Sequence, residues 1–437
     1  MKFSKKRLLA AAAGAVTVGV VLTGCTGFGG GGSSGGGDAG SGTLTFTTWA
    51  GDSEATAFKS LVKQFESEHK GTTVKLNIVP YAQMYSDMDA KLAAGNAPDI
   101  FRVDYGNLGV YSSQDQLLDL SKYMNDEKSK FVPAMWEAVS YKGKPYGVPH
   151  QTDVSSLLVN KAMLTAAGID VATLPKKQAD AWTWQQFGDV AAKLRAALPA
   201  KQYPFVYNWQ QAGAPRWLSW LFQANGALLK DDGKTPAIDS AAGAKALDFT
   251  KSFYEKKWVP PTSSPKSSVY ADTTFQQGTA AMVFAGSFLV PDMASLAKFD
   301  WTAIPMPRDA RGATDLGGNA LVATKHTKNP ALAAEFLKFM VQADTMSSYC
   351  AETNELPTRT DLGGDKITFK IRPDVMPVFV DQAGTITPGD VKQLTSPSMA
   401  AISTALQDQL DAAFVGGQST KDTLAKLTTA IEEAAKK

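Results

Sequence analysis

The sequence predicts an α/β protein that is built from two lobes. Its 437 residues are too many for one ordinary hydrophobic core, so a division of the chain is expected. Between residues 44 and 101, strand-like and helix-like segments alternate, which is typical of a sheet with right-handed crossovers. A polar patch at residues 150–153 separates two apolar segments near the middle of the chain. We predict that the chain crosses there from one lobe to the other.

Residues 1–24 have the pattern of a signal peptide. Basic residues cluster at positions 2–7, and residues 8–22 form an apolar stretch that is too short to span a bilayer comfortably. The small residues before Cys25 resemble the lipobox of bacterial lipoproteins, which predicts that this cysteine is acylated and becomes the mature N-terminus. The alternative is an ordinary secretory signal followed by a chance cysteine.

The segment after Cys25 is predicted to be a tether. Residues 26–42 are rich in Gly and Ser and carry a single charge, Asp38. Such a composition cannot bury a core and behaves as a flexible linker. We therefore assign residues 25–42 to the acylated cysteine and its tether, which would hold the folded body off the outer face of the cell membrane.

The composition indicates a soluble globular body, with 44% apolar and 20% charged residues. Four of the 44 Lys and Arg residues lie in the signal peptide, and subtracting them leaves 40 against 42 Asp and Glu, a net charge of about −2. A nucleic-acid partner usually requires a clearly basic surface. We therefore predict no nucleic-acid partner.

The cysteines and histidines favour neither a disulfide nor a metal site. Cys350 is the second of two cysteines, so a lipid on Cys25 leaves it without an intrachain partner. It is expected to pack as a small apolar residue. His69, His150 and His326 are too scattered for metal-ligand spacing. The sequence predicts no metal and no cofactor.

Three strands and two intervening helices are predicted for the first lobe. The strands are expected at residues 44–49, at residues 74–78 and after residue 97, and the helices carry apolar residues at helical spacing. Ligands bind beyond the carboxyl ends of the strands in such sheets. The candidates in the following loops are Trp49, Asp52, Tyr81, Asp104 and Tyr105. The alternatives are a core position for Trp49 and a helix-capping role for Asp52.

The middle of the chain is predicted to be the hinge. Residues 143–147 are expected to form a turn and residues 154–159 a strand, after which Asn160 caps a helix over residues 161–168. The polar patch between the turn and the strand contributes the candidate ligand residues His150, Gln151 and Asp153. The alternative is that these are solvent-exposed hinge residues.

Further alternation predicts the second lobe. Residues 183–186 form a capping-box pattern at the start of a helix, and an aromatic-rich segment follows at residues 207–225. Gly286 and Ser287 are predicted to begin a helix whose free N–H groups can bind a ligand oxygen. Other predicted elements are a helix at 241–258, strands at 279–284 and 320–324, a helix capped by Asn329, and helices at 398–414 and 420–437.

Several short segments that follow the lipobox occur in an order that is typical of a known family. They are the first strand ending in Trp49 and residues 97–100, 146–149, 158–161, 183–187, 278–282, 286–288, 329–339, 356–359 and 416–417. Together they resemble family 1 of the bacterial extracellular solute-binding proteins, the sugar-binding subunits of ABC importers. The resemblance, which is to maltose-binding-protein-like chains, covers essentially all of residues 43–437.

The resemblance implies a two-lobed periplasmic-binding-protein-like fold of type II. Each lobe would be a mixed or parallel sheet flanked by helices, with the ligand in the cleft between the lobes. Lobe one would combine residues 43–151 with 313–372, and lobe two would combine residues 152–312 with 373–437.

A sugar site requires aromatic platforms and planar polar groups. Among Trp209, Trp217 and Trp220, we expect at least one to contact ligand and one to lie in the core. Phe288 stands where the family often has Trp, which keeps a stacking face but loses the indole N–H. Arg359 either reaches the cleft or pairs with a surface carboxylate. The remaining polar candidates are Asn208, Arg216, Gly318 and Asn319.

The resemblance implies a binding protein that performs no chemistry. It would capture a mono- or oligosaccharide by hinge closure, as a lipid-anchored monomer, and deliver it to permease subunits driven by a cytoplasmic ATPase. The chain contains no G-x-S-x-G, P-loop or HExxH motif. The alternatives are a receptor for a peptide, polyamine or metal chelate, a secreted carbohydrate-active enzyme, and a structural lipoprotein without a small ligand.

Overall fold

The computed structural model describes residues 41–210 and 213–436. The predicted signal peptide, Cys25 and most of the tether lie outside the described residues. Within the described part, no helix is both long enough and apolar enough to cross a membrane.

Eleven strands in the described residues form two main sheets and one short hairpin. They are β1 (Thr43–Thr48), β2 (Thr73–Ile78), β3 (Ile100–Asp104), β4 (Ser140–Tyr141), β5 (Lys144–Pro145), β6 (Val148–Gln151), β7 (Ser155–Asn160), β8 (Tyr203–Val206), β9 (Ala280–Gly286), β10 (Trp301–Ile304) and β11 (Asn319–Ala323).

The first main sheet has the order β2-β1-β3-β11-β6. Strands β1, β2 and β3 are parallel, while β11 is antiparallel to both β3 and β6. The second main sheet has the order β10-β7-β9-β8, in which β8 and β9 are parallel and β7 is antiparallel to its neighbours. Both sheets are therefore mixed.

Helices cover these sheets. They are α1 (Asp52–Glu68), α2 (Tyr81–Ala93), α3 (Tyr105–Ser113), α4 (Ser121–Met124), α5 (Pro133–Ala138), α6 (Lys161–Ala166), α7 (Trp184–Ala197), α8 (Leu218–Gln223), α9 (Ala241–Glu255), α10 (Ala271–Gln276), α11 (Val290–Leu296), α12 (Pro330–Met340), α13 (Ala343–Thr353), α14 (Met376–Ala383), α15 (Pro388–Leu394), α16 (Met399–Phe414) and α17 (Thr420–Ala434). Short 3₁₀ helices lie at Asn125–Lys130, Val171–Thr173, Gln178–Asp180, Ala214–Trp217, Ser287–Leu289 and Thr360–Leu362.

Local sequence signals explain many of these boundaries. The Thr183 hydroxyl accepts a hydrogen bond from the Gln186 N–H at 3.2 Å, and the Gln186 side chain accepts one from the Thr183 N–H at 2.8 Å, which is the predicted capping box. The Asn160 side chain caps α6 by accepting a hydrogen bond from Met163 N–H at 3.1 Å. Asn329 occupies the N-cap position of α12, as predicted, but its side chain accepts no capping hydrogen bond, and Pro330 follows at the first helical position.

Several predicted boundaries were wrong; for example, the helix predicted at residues 241–258 ends at Glu255. The turn before the hinge is formed by Lys142 and Gly143, which both have positive φ, so residues 144–145 already belong to β5. Two consecutive left-handed residues match the twist of a two-stranded hairpin. Asp52, which was predicted to lie in a loop or to cap a helix, is instead the first residue of α1, and Gly51 occupies the N-cap position.

The chain passes between the two sheets three times. The passages lie between β6 and β7, between β10 and β11, and between α13 and α14, since α14 packs against β7 and β10. The first and third passages pair through Thr152 and Leu356, whose backbones exchange hydrogen bonds of 2.9 and 2.8 Å. Gly317 N–H in the second passage donates to Asp153 O at 3.1 Å. We propose that the lobe boundaries at residues 151/152, 312/313 and 372/373 lie within these adjacent passages, which together form the hinge.

Two C-terminal helices also touch the first lobe. Helix α15 packs against α5, and α16 packs against both α3 of the first lobe and α9 of the second, whereas α17 packs against α9. The C-terminal segment therefore spans both lobes on one side of the molecule.

Candidate ligand-binding cleft

A cavity of about 1070 Å³ lies between the two sheets. Its walls come from the carboxyl ends of β1 and β3, the start of α2, the loops after β8 and β9, the hinge passages and one face of α16. This is the position expected for a ligand in an α/β protein, because the loops that follow parallel strands meet at one edge of the sheet.

Three aromatic rings of the first lobe form the wall that we call the aromatic wall: Trp49, Tyr81 and Tyr85. Trp49 follows β1, and its ring centroid lies 5.2 Å from that of Tyr81 and 6.2 Å from that of Tyr85. The two tyrosine rings meet edge to face at 6.0 Å. Such packing fixes the rings before a ligand arrives, which reduces the entropy lost on binding.

Asp104 at the end of β3 holds the tyrosines in place. Its Oδ2 accepts hydrogen bonds from the hydroxyls of Tyr81 at 2.8 Å and Tyr85 at 2.6 Å, and its Oδ1 accepts one from Asn319 Nδ2 at 2.6 Å. Burial raises the pKa of Asp104, and these hydrogen bonds oppose the rise without cancelling it. The carboxyl therefore orients the aromatic wall.

Arg102 on β3 lies behind the aromatic wall. Its Nη2 donates to Glu54 Oε1 at 2.6 Å, its Nη1 to Trp49 O at 3.0 Å, and its Nε to Asn319 Oδ1 at 2.9 Å. The guanidinium also lies over the Trp49 ring, 4.6 Å from the centroid. Burial alone would raise the pKa of Glu54, but Arg102 outweighs it and the pKa is lowered. This pair is charged and links β3 to α1.

Three carboxyl groups at the hinge form the acidic floor of the cleft: Asp153, Asp315 and Glu355. Asp315 accepts hydrogen bonds from the N–H and hydroxyl of Ser155 at 2.9 and 3.1 Å. Burial, followed by the charge of Asp315, raises the pKa of Asp153 to about 7. Burial, followed by the charge of Asp153, raises the pKa of Glu355 well above its usual range.

Two glycines provide the space for Asp153. A Cβ on Gly317 would collide with the Asp153 carboxylate, and a Cβ on Gly286 would lie 3.1 Å from Asp153 Oδ1. Gly318 has φ +89°, where only glycine is relaxed, and a Cβ on it would lie 2.4 Å from the Cα of Thr152. These glycines let the second passage approach the first closely, so that Asp153 sits at the floor of the cleft.

The second lobe contributes a more polar wall. Asn208 follows β8, and Arg216 donates from Nη1 to Gln210 O at 2.7 Å and pairs with Asp315 at 3.5 Å. Phe288 is half-buried and faces the cavity after β9. The mouth is lined by Tyr270, Asp272 and Asp292 from this lobe and by Asp52 from the other.

Eleven of the predicted site residues line this cavity. They are Trp49, Asp52, Tyr81, Asp104, Tyr105, Asp153, Asn208, Arg216, Phe288, Gly318 and Asn319. Tyr105 is buried at its edge and donates from its hydroxyl to Gln151 O at 2.8 Å. Contact of these residues with a ligand stays a prediction.

The tryptophans of residues 207–225 do not reach the cavity. Trp217 and Trp220 are fully buried in the core of the second lobe, where Trp217 Nε1 donates to Thr250 Oγ1 at 3.0 Å and Trp220 packs among phenylalanine rings. Trp209 is also buried and packs against Tyr207 and Phe414. Their burial contradicts a ligand role for these three rings. Trp217 and Trp220 pack toward α9, and Trp209, which follows β8, packs against Phe414 of α16.

Five other predicted residues also lie behind the cavity surface. Arg359 pairs with the exposed carboxylate of Asp361 through two hydrogen bonds of 2.9 and 2.7 Å, which is the second of the two roles predicted for it. It also donates to Val341 O. Gln151 donates to Asn319 Oδ1 at 2.7 Å and to Glu355 at 3.3 Å, so it supports the cleft from behind. Gly286 and Ser287 are buried and begin a 3₁₀ helix of three residues, and His150 is fully buried.

His150 lies in the apolar core of the first lobe. Its ring stacks on Phe58 with centroids 5.5 Å apart and meets Tyr349 at 4.4 Å. Neither ring nitrogen has a hydrogen-bond partner among the described residues. Burial, followed by the positive charge of Arg102, lowers the pKa of His150 to about 3. The prediction of a solvent-exposed or ligand-contacting hinge histidine was therefore wrong.

This neutral histidine makes the folded state sensitive to acid. Between pH 6.5 and about 3 the unfolded chain binds a proton that the folded chain does not, so His150 lowers the free energy of unfolding as the pH falls through this range. The loss is at most about 1.4 kcal/mol per pH unit. We expect the variant His150→Phe to lose about 2–3 kcal/mol less stability than the wild type between pH 6.5 and 4, measured by urea unfolding. Equal losses in the two proteins would contradict a buried neutral imidazole.

Several cleft residues had been missed from sequence. Tyr85 lies one helical turn after Tyr81, a spacing that places both rings on one face of α2. Arg102 is a charge inside an otherwise apolar buried strand, which signals a buried partner. Glu355, Asp315, Asp272 and Asp292 carry no comparable local signal.

Comparison with known proteins identifies relatives of this chain. A family model described as bacterial extracellular solute-binding protein matches residues 20–346. Maltodextrin-binding protein MdxE of Bacillus subtilis (strain 168) is 26% identical over 388 residues, which is 86% of each chain. An arabinooligosaccharide-binding protein of the same organism is 27% identical over 312 residues, or 68% of each chain.

Solved structures share the fold. The GacH receptor of Streptomyces glaucescens, known unliganded and with acarbose, has a TM-score of 0.75 at 22% identity and covers 91% of this chain and 99% of its own. UgpB from Mycobacterium tuberculosis, in complex with glycerophosphocholine, has a TM-score of 0.76 at 17% identity over 90% and 98%. These likenesses confirm the predicted two-lobed fold. The chain therefore belongs to the bacterial extracellular solute-binding protein family.

Proposed function

We propose that this protein captures a carbohydrate, a mono- or oligosaccharide, in the cleft between its lobes. The observation that carries the proposal is the meeting of the aromatic wall with carboxylates, amides and Arg216 in one cavity of about 1070 Å³. A sugar ring offers apolar C–H faces that stack on aromatic rings and a rim of hydroxyls that need hydrogen-bond acceptors and donors. Two relatives of the chain, a maltodextrin-binding protein and an arabinooligosaccharide-binding protein, support this choice.

Capture involves closure of the hinge. The aromatic wall belongs to the first lobe, while Asn208, Arg216 and Phe288 belong to the second, so a sugar between them contacts both. A ligand shifts the protein to the closed state only through contacts that are better in that state. The three adjacent backbone passages offer a narrow connection about which the lobes can rotate.

Delivery follows capture. The closed protein docks on permease subunits in the membrane, which a cytoplasmic ATPase drives, and the protein itself performs no chemistry. It acts as an exported monomer that the lipid on Cys25 holds at the outer face of the cell membrane. The family membership and the lipobox-like sequence before Cys25 support this part of the proposal.

Calorimetric titration with a panel of mono- and oligosaccharides tests the proposal. We expect saturable binding of at least one sugar with a stoichiometry of one per chain. A folded protein that stays silent across the panel, but binds a peptide or a polyamine, would replace the carbohydrate with a non-sugar solute. Cleavage of an oligosaccharide during the titration would favour a carbohydrate-active enzyme.

Removal of the central aromatic ring gives a residue-level prediction. We expect Trp49→Ala to weaken binding of the sugar found in the panel by about 2 kcal/mol or more, which is roughly 30-fold in Kd, because the ring supplies the stacking face. Trp49→Phe should recover part of this loss. Trp182→Ala, which removes an indole outside the cleft, is the matched control and should leave Kd unchanged. Equal affinities of Trp49→Ala and the control would exclude Trp49 from the site.

A further inference from the structure

The cleft carries more carboxyl groups than basic groups. Eight carboxyl groups line it, but its only basic lining residues among those described are Arg102 and Arg216. The eight are Asp52, Glu54, Asp104, Asp153, Asp272, Asp292, Asp315 and Glu355. The chain as a whole is nearly balanced in charge, so this excess is a local property of the cleft.

Both arginines already form ion pairs with carboxylates that line the cleft. Arg102 pairs with Glu54 at 2.6 Å and Arg216 with Asp315 at 3.5 Å. Each also donates to a backbone carbonyl, Arg102 to Trp49 and Arg216 to Gln210. The other six carboxyl groups form no ion pair with any Lys, Arg or His of residues 41–210 and 213–436.

Two of these carboxyl groups belong to buried residues that line the cavity. Glu355 is 2% exposed, and within the described part of the chain its Oε2 has no hydrogen-bond partner. Asp153 is 9% exposed, lines the same cavity and is seated against Gly317 and Gly286. Buried polar atoms are nearly always paired in folded proteins, so an unpaired oxygen on a residue that lines the cavity points to a partner on the ligand.

Carboxyl groups also line the mouth of the cleft, on both lobes. Asp272 and Asp292 belong to the second lobe, and Asp52 to the first. Burial, followed by the charges of Asp272 and then Asp52, raises the pKa of Asp292, so both neighbours disfavour the ionised form of Asp292 through electrostatic repulsion. Closing the lobes around an uncharged ligand leaves this repulsion in place.

We propose that the ligand is an amino sugar or a glycoside bearing a basic amine, whose ammonium group is held at the acidic floor by Asp153 and Glu355. An ammonium offers N–H donors to these oxygens and neutralises charge that a hydroxyl leaves unbalanced. The aromatic wall beside the floor adds a favourable surface for a cation. This inference rests on the proposed carbohydrate function and specifies its substrate class.

Matched sugars test the inference by calorimetry at pH 7 and low salt. The sets are glucose with glucosamine and N-acetylglucosamine, galactose with galactosamine and N-acetylgalactosamine, and cellobiose with chitobiose and N,N′-diacetylchitobiose. Putrescine serves as an amine without a sugar. We expect an amine member to bind at least about tenfold tighter than its hydroxyl and N-acetyl counterparts, with the advantage reduced at high salt.

Substitutions at the acidic floor test whether its carboxyl groups cause the preference for an amine. Asp153→Asn and Glu355→Gln should each reduce the amine preference by about tenfold or more, whereas Asp365→Asn, at an exposed position outside the cleft, should keep it. Thermal unfolding checks that each variant is folded. If a floor variant does not fold, Asp292→Asn at the exposed mouth carries the same test with a smaller expected loss.

The outcomes separate the two proposals. Neutral or N-acetylated sugars that bind as tightly as the amines would overturn this inference and leave the carbohydrate function standing. Putrescine binding without any sugar binding would overturn the carbohydrate function while retaining a cation at the floor. Silence of every probe on folded protein would overturn both.

Discussion

Replacing Arg102 with methionine is expected to lower the free energy of unfolding by about 3–5 kcal/mol. The side chain of Arg102 is 2% exposed and that of its partner Glu54 is 15% exposed. Removing the cation leaves a buried carboxylate whose charge is no longer compensated. It also removes the donors to Trp49 O and Asn319 Oδ1, so the loss includes unpaired acceptors as well as the ion pair.

Urea unfolding at neutral pH measures this loss. Lys161→Met is the matched control, because Lys161 pairs with Asp300 at 3.0 Å on the surface, where both side chains are substantially exposed. Exposed pairs contribute little to stability, so the control should change the free energy of unfolding only slightly. If Arg102→Met cost no more than the control, the network behind the aromatic wall would not be a structural element.

Asp153→Asn is expected to act in opposite directions on stability and on binding. The pKa of Asp153 is raised from 3.8 to about 7, so between these values the folded state retains a proton that the unfolded state has released. Folding stability therefore falls as the pH rises through this range, and above pH 7 the full penalty is at most about 4 kcal/mol. Asparagine has no proton to lose and is free of this penalty, but it cannot pair with a cationic ligand.

Unfolding at pH 4 and pH 8 checks the sign. The variant should be close to wild type at pH 4 and more stable by up to about 4 kcal/mol at pH 8, while its affinity for the ligand is lower. Asp365→Asn, an exposed carboxyl replaced in the same way, should show no such pH dependence. An Asp153→Asn protein that is less stable than wild type at pH 8 would show that the carboxylate is not under electrostatic strain.

Much of the first lobe was predictable from sequence, because its signals are local. Apolar residues at a period of two marked β1 and β2, and a helical period marked α1, whose predicted face is the buried one. The connectivity of β11, which inserts between β3 and β6, was not local information. It depends on residues more than 160 positions apart, as in the pairing of Asn319 with Gln151.

Residues of the site were also predicted correctly where the sequence signal was local and were missed where it was not. Trp49, Tyr81 and Asp104 follow predicted strands or begin a helix, so the rule for carboxyl ends of strands located them. The prediction that a tryptophan of residues 207–225 contacts ligand was wrong, since residue type alone does not distinguish an aromatic ring that stacks on a ligand from one that packs in the core. Trp217 and Trp220 share a helical face, as expected, but that face packs against α9 rather than the ligand space. Asp315 and Glu355 reach the floor only through the second and third passages, which no sequence pattern predicts.

A crystal structure of the protein with the sugar that binds most tightly in the calorimetric panel tests the central claim most directly. We expect electron density for one sugar in the cavity between the lobes, with a ring face against Trp49 and polar atoms within hydrogen-bond distance of Asp153 and of Arg216 or Asn208. Density outside the cleft, for example in the groove lined by Trp184 and Lys245 on the second lobe, would contradict the account. So would a sugar bound in the cleft without contact to both lobes.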